Sequence, residues 1–366
     1  MSIKLKEIIQ IIENNIPLAL QEEYDNCGLQ TGDTSQEINS ILISLDINSN
    51  IIDEAIEKQC QLVISHHPLI FSPLKKIIEG TDASNTLIKA IRNNIALYSI
   101  HTNLDNYYDG LNKYVAKRLG LVDIKILSPT DNFIRKLVTF CPVEHAEKVR
   151  EALFNAGAGH IGNYDKCSFN VEGTGTFRPL EGTNPYSGHI NETYHGKEIR
   201  IETVFPSYLE NKILKALFES HPYEEVAYDI YNLKNKWEKA GSGISGILTS
   251  PLKQTDFIQL LKNVFKIPCI RHNELYDKNV TTVALCTGGG SFLIKNAINE
   301  KKDAFISADL KYHNFIEAEN SILLADCGHF ETEIFAREII RDILIKNFPN
   351  FAIFISDKEK NPVNYS

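Results

Sequence analysis

The feature that most restricts this chain is a set of short apolar runs, each stopping at polar side chains able to hold a metal. Leu62-Val63-Ile64-Ser65 reads as a buried strand. It stops at His66-His67-Pro68, because proline has no N–H to give to a ladder. A strand at residues 41–46 and a helix at 49–58 precede it, with Ser49 or Asn50 as the expected N-cap. That order is βαβ and calls for a parallel sheet, in which ligands collect at the carboxyl ends of the strands. A helix at 86–93 leads to a third strand, 95–100, which ends in His101-Thr102-Asn103-Leu104-Asp105-Asn106. A helix at 111–119 follows.

Residues 131–235 have another rhythm. A strand at 136–140, a helix at 143–156 closed by Gly157, and a strand at 167–177 come first. After a Gly/Pro/Asn loop come a strand at 197–205, a helix at 208–219 and a strand at 226–233. The order βαββαβ is that of a ferredoxin-like unit. Its histidines, His145, His160, His189, His195 and His221, lack metal-ligand spacing and read as surface or packing residues. The α/β pattern resumes after a flexible glycine-rich re-entry at 241–246. It brings a helix at 255–264, a strand at 280–286 and a helix at 292–299. A strand at 304–307 follows, then one at 322–326 that runs through Gly328-His329-Phe330-Glu331-Thr332-Glu333 into a helix at 334–345. Leu62-Val63-Ile64-Ser65 echoes Ala304-Phe305-Ile306-Ser307. The expected architecture is therefore α/β: two related halves, 1–130 and 236–366, form one domain, with residues 131–235 inserted between them.

Three strand ends supply candidate ligands: His66 and His67, then His101 and Asp105, then His329 and Glu333. His329 and Glu333 are four apart at a helix start and so face one way, whereas Glu331 faces elsewhere. Nitrogen and oxygen donors without thiolate suit Zn²⁺, Mn²⁺, Fe²⁺ or Co²⁺. A single tetrahedral site needs three protein ligands and a water, so this surplus points to a metal pair with a carboxylate as bridge. Asp25 or Asn26 of the polar loop at 23–33, and Asp46, Asp309 and His313, are candidates for a supporting or substrate-contacting role. Thr287-Gly288-Gly289-Gly290-Ser291 before a helix is a candidate phosphate cradle or simply a tight turn.

Composition narrows the functional classes. The net charge of −9 over 366 residues argues against broad binding to a nucleic-acid backbone. No apolar run approaches the roughly 18 residues of a membrane span. Met1-Ser2-Ile3-Lys4-Leu5-Lys6 reads as the opening of an amphipathic helix at 3–14 rather than a secretory leader. The seven cysteines are scattered without a C-x-x-C, as expected for buried thiols in a reducing cytoplasm.

Asp25-Asn26-Cys27-Gly28-Leu29-Gln30, Ser65-His66-His67-Pro68, His101-Thr102-Asn103-Leu104-Asp105 and Gly328-His329-Phe330-Glu331-Thr332-Glu333 resemble the signature blocks of the Nif-three-like proteins. These are the GTP cyclohydrolase 1 type 2 homologues, and the match is to their long bacterial form with an inserted PII/CutA-like domain. The resemblance implies a dinuclear site of two divalent ions on His66, His67, Asp105, His329 and Glu333. It also implies a toroidal homohexamer whose sites face an inner cavity. Three functions are then in play. The first is a metal-dependent hydrolase opening the GTP ring at purine C8 with release of formate, His101 moving protons. The second is a hydrolase of a phosphoester or other substrate on the same metals. The third is a non-enzymatic metal-binding or regulatory hexamer.

Overall fold

The computed structural model describes residues 2–364; Met1, expected to open the first helix, lies outside them. The chain divides into two units, residues 1–128 with 239–366, and residues 129–238.

The first unit is built on two sheets. One has the strand order Ala352–Ile355, Ser40–Ser44, Leu62–Ser65, Ala96–Ser99, Gly28–Thr31. Its first four strands are parallel, and Gly28–Thr31 closes the edge antiparallel to Ala96–Ser99. Ser40–Ser44, Leu62–Ser65 and Ala96–Ser99 are buried on both faces, which is why they read as unbroken apolar runs. Leu62 and Ile64 join one core with Ile41, Ile43 and Tyr98, while Val63 joins another with Leu42 and Leu97. The second sheet runs Arg271–His272, Leu323–Asp326, Ala304–Ser307, Asn279–Leu285, Trp237–Lys253, Leu121–Thr130. Its middle three strands are parallel.

Several sequence expectations need correction. The first helix begins at Leu5, because Ile3–Lys4 pairs antiparallel with Glu37–Ile38. The cap of the helix Ser49–Glu57 is Asn48, whose side chain accepts from the amides of Asn50 and Ile51. The polar stretch at 23–33 contains the edge strand Gly28–Thr31. The glycine-rich segment 241–246 is no flexible re-entry but the interior of the strand Trp237–Lys253. A Cβ on Gly246 would lie 3.0 Å from the Val122 carbonyl oxygen, so glycine there admits the neighbouring strand. The helix expected at 334–345 is Ala336–Asn347, and a separate short helix, His329–Glu333, precedes it.

In the second unit the strand order is Tyr228–Leu233, Ile134–Pro142, Tyr194–Pro206, Ser168–Phe177, every neighbour antiparallel. The helices Ala146–Ala156 and Glu210–Ser220 pack Val149, Leu153, Ile213 and Leu217 against Leu137, Ile199 and Ile201 of the sheet. Gly157 ends the first of these helices with φ +110°, the left-handed cap expected of it. Among the described residues no helix is long and apolar enough to cross a membrane.

Candidate metal centre

Six side chains from the two sheets of the first unit meet at the strand ends. His66 and His67 follow Leu62–Ser65, and the turn after that strand is pinned by Ser65, whose hydroxyl donates to the His67 carbonyl at 2.6 Å. His101 and Asp105 come from the cap and body of the short helix Thr102–Asn106 after the strand Ala96–Ser99. His329 and Glu333 are the two ends of the helix His329–Glu333. Thr332 fastens that helix: its hydroxyl donates to the Gly328 carbonyl at 2.9 Å and accepts from the Gly288 amide at 3.0 Å.

Each of the four imidazoles is fixed through Nδ1 to an oxygen. His66 donates to the Ile100 carbonyl at 2.8 Å, and His67 to Asp46 Oδ1 at 2.8 Å. His101 is bonded to Asp25 Oδ1 at 2.8 Å, and His329 to Asp309 Oδ2 at 2.7 Å. This is the usual backing of a metal-binding histidine: it fixes the ring and tautomer and leaves Nε2 free to coordinate. His67 Nε2 and His329 Nε2 reach Glu333 Oε2 at 2.8 and 2.9 Å. His66 Nε2 stands 3.7 Å from Asp105 Oδ1 and 3.9 Å from Glu333 Oε2.

The donors fall into overlapping sets whose ligand atoms lie within 4.8 Å of one another. These are His66, Asp105 and Glu333; His67, His329 and Glu333; and His66, His67 and His101. Two atoms expose the purpose of the arrangement. His66 Nε2 and Asp105 Oδ1 are buried without a hydrogen-bond partner. An orphaned buried polar atom costs about 1–3 kcal/mol, and a divalent cation between these two would satisfy both. The donor set fits a borderline transition-metal ion. Gly288 is part of the same fit: a Cβ there would fall 2.0 Å from Glu333 Oε1 and displace the carboxylate.

The protonation states answer to the same crowding. Burial alone would lower His67, but its bonds to Asp46 and Glu333 outweigh that and raise it to about 10. His329, likewise opposed by burial, is raised by Glu333 and Asp309 to about 9. Burial pushes His66 down to about 3. Asp105 is pushed well up by burial and by the Glu333 charge, whereas His329 and His67 hold Glu333, against burial, well below the usual carboxylate range. Asp25, also against burial, is held very low by His101 and Thr102.

The supporting residues were only partly visible in the sequence. Asp46 and Asp309 hydrogen-bond His67 and His329, two of the candidate ligands. Asp25 backs His101, while Asn26 bonds to the Ile70 carbonyl. His313 is exposed on the helix Tyr312–Ala318, its ring against Tyr312. Glu331 is turned to Asn361, with a 2.8 Å bond. Glu359 has no signal in the sequence, yet it accepts from the Leu45 and Asp46 amides at 2.5 and 2.9 Å and so steadies the residue behind His67. The glycine loop is not an open cradle: the amides of Thr287, Gly288 and Gly290 are taken by Asn112, Thr332 and Ser307. The helix after it is only Ile294–Asn299. A pocket of about 210 Å³ opens on the centre, with Tyr24 and Phe292 among its lining residues, 66% and 63% exposed. No Lys or Arg stands among the described residues lining it.

The DUF34/NIF3 family, NGG1p interacting factor 3, matches residues 3–362. A relative from Bacillus subtilis (strain 168), named GTP cyclohydrolase 1 type 2 homolog, is 36% identical over 372 residues, 100% of this chain and 99% of the relative. One of the same name from Halalkalibacterium halodurans is 39% identical over 324 residues, 88% of this chain and 87% of the relative. The crystal structure of a Bacillus cereus protein related to NIF3 matches with a TM-score of 0.88 at 36% identity, covering 100% of this chain and 99% of that one. With its whole length matched in sequence and in fold, the chain belongs to the DUF34/NIF3 family.

Proposed function

We propose that this protein is a hydrolase that works with two divalent metal ions, GTP being the leading candidate substrate. The observation that carries the reading is the convergence of four anchored imidazoles on Asp105 and Glu333, with His66 Nε2 and Asp105 Oδ1 left unpaired. His66, Asp105 and Glu333 would hold one ion; His67, His329 and Glu333 would hold the other, Glu333 being common to both sets. Bound there, such a pair supplies Lewis acidity and lowers the pKa of water.

The protein's own residues do the rest. Asp46 and Asp309 keep His67 and His329 oriented. Asp25 fixes the proton of His101 on Nδ1, so that His101 Nε2 is the acceptor for a proton from water or substrate. Tyr24 and Phe292 offer flat apolar surface at the mouth, which suits a purine ring. The name of the relatives, GTP cyclohydrolase 1 type 2 homolog, favours GTP as the first substrate to try. With the amides of Thr287, Gly288 and Gly290 occupied and no Lys or Arg among the described lining residues, the protein itself offers a triphosphate little positive charge, and the metal ions would have to supply it.

The same reading takes residues 131–235 as an inserted ferredoxin-like domain and the two sheets of the first unit as related halves. The βαββαβ order and the 4-1-3-2 strand arrangement of the second unit support the former. The parallel strands Leu62–Ser65 and Ala304–Ser307, central in their sheets and both ending beside the donors, support the latter. It also takes the chain as a cytoplasmic homohexamer, which light scattering would test. For the activity, metal-reconstituted protein is incubated with GTP and formate release is followed. Turnover in wild type and its loss in His67→Ala is the expected outcome. Unconsumed GTP would sink the GTP version, and a panel of phosphoesters run beside it would identify the competing substrate class.

A further inference from the structure

The second unit holds a cavity that this reading does not use. It measures about 570 Å³, more than twice the pocket at the metal centre. It lies on the sheet face turned away from the two helices. Ile199 and Ile201 pack towards the helices, so Glu198 and Arg200 point the other way. Beside them in register are Gly173 and Val171 on one neighbouring strand and Phe140 on the other. Phe177, Tyr186 and Tyr223 supply aromatic walls, the Phe177–Tyr223 and Tyr186–Tyr223 ring centroids being 5.8 and 6.0 Å apart.

Glu198 is the group without an explanation. It is 9% exposed and lines the cavity. Its Oε1 accepts from the Tyr223 hydroxyl at 2.8 Å, and no cation pairs with it among the described residues. Arg200 is engaged elsewhere: its guanidinium bonds Glu202 at 2.8 Å and lies over the Phe140 ring. The fold also makes room for this carboxylate, since a Cβ on Gly175 would fall 2.2 Å from Glu198 Oε2. Glu224 and Glu225 add further negative charge to the lining. A carboxylate shielded by rings and lacking a counter-ion is stabilised by a ligand that brings positive charge, and aromatic faces attract the same charge. An anion would meet Glu198, Glu224 and Glu225 and one committed arginine.

We propose that this cavity is a binding site for a small planar organic cation of the amidinium or guanidinium class. Its N–H groups donate to Glu198, and its body lies among Phe177, Tyr186 and Tyr223. The site is independent of the metal reading, because all of its residues belong to residues 129–238.

The test is titration of the full-length protein with benzamidine by calorimetry, with benzoate as the anionic analogue of the same shape. Saturable binding of benzamidine, and none of benzoate, is expected. Glu198→Gln should weaken binding about tenfold or more, the loss expected when a charge-assisted bond is reduced to a neutral one. Val171→Trp, which fills the cavity from a 45% exposed position, should weaken it comparably and serves if Glu198→Gln does not fold. His67→Ala should leave it unchanged. Benzamidine that fails to bind the wild type, binds both cavity variants equally well, or depends on His67 would overturn the proposal, as would equal binding of benzoate.

Discussion

The four histidines of the candidate metal centre and the five of the second unit are the same residue in opposite settings. At the centre each ring is tied through Nδ1 to an oxygen, and the Nε2 atoms converge with two carboxylates. Among the described residues of the second unit no two histidines meet. His221 is buried and bonds the Phe140 carbonyl at 3.0 Å while accepting from the Tyr223 amide. His145 meets the Tyr186 hydroxyl and His195 the Thr176 hydroxyl; His160 and His189 are outside any group of metal-type donors among the described residues. A histidine is thus a ligand candidate because of what holds its far nitrogen and what its near nitrogen faces. Burial alone does not distinguish the two, since His66 and His221 are both buried.

The sharpest way to break this contrast is to remove the shared carboxylate. Glu333→Ala should abolish metal binding altogether, whereas Asp105→Asn should halve it, as read by elemental analysis of the folded variants. Retention of full metal content by Glu333→Ala would show that the two donor sets are not joined through this residue.

Next in size is a proton effect. In the metal-free protein His67 and His329 are raised to about 10 and about 9, so both are protonated at pH 7. Metal must displace those protons, and binding should release about two of them per chain from these rings, with more from Asp105, whose carboxyl is pushed up by burial. Affinity should therefore rise with pH up to about 10, less steeply once His329 has lost its proton near 9. Calorimetry in buffers of different ionisation enthalpy measures the release; a value near zero contradicts the account. Stability follows the same linkage. The raised pKa values of His67 and His329 give the metal-free protein stability that is complete below the unfolded value, about 6.5, and is lost as pH rises through about 9 and then about 10. Its Tm should fall across that window, and metal-loaded protein should not share the fall.

Asp25→Asn should lower turnover with little change in metal content, because Asp25 orients His101 and belongs to neither donor set that contains Glu333. A drop in metal equal to that of Asp105→Asn would instead make His101 a ligand. The smallest effect is expected in the second unit. His221→Ala should cost about 1–3 kcal/mol of stability in urea unfolding and leave metal content intact.

Sequence made the gathering of the donors visible because each stands at the end of an apolar run or within a spaced block. His66-His67 follows a strand that proline ends, and His329 and Glu333 share the spacing of one helical turn. What backs them was harder to see. Asp46 lies 21 residues before His67, and Asp25 lies 76 before His101, distances that no periodicity relates. Only their positions at strand ends and in a polar loop hinted at a role. Glu359 gave no hint, since its effect runs through backbone amides of Leu45 and Asp46. The glycines misled in the fold. At 241–246 they suggested a flexible re-entry, yet they serve close packing inside a long strand. Gly288-Gly289-Gly290 suggested an anion cradle, yet two of its three amides are taken by side-chain hydroxyls. The edge strands Gly28–Thr31 and Ala352–Ile355 escaped notice because a short strand on a sheet edge carries little pattern of its own.

The most direct test of the central claim is the metal content of wild-type protein purified without chelator or affinity tag. The account predicts about two transition-metal equivalents per chain, both lost in Glu333→Ala. Less than about one equivalent, not restored by adding Zn²⁺, Mn²⁺ or Fe²⁺, would contradict it, because a tetrahedral single-ion site needs only about three of these ligands.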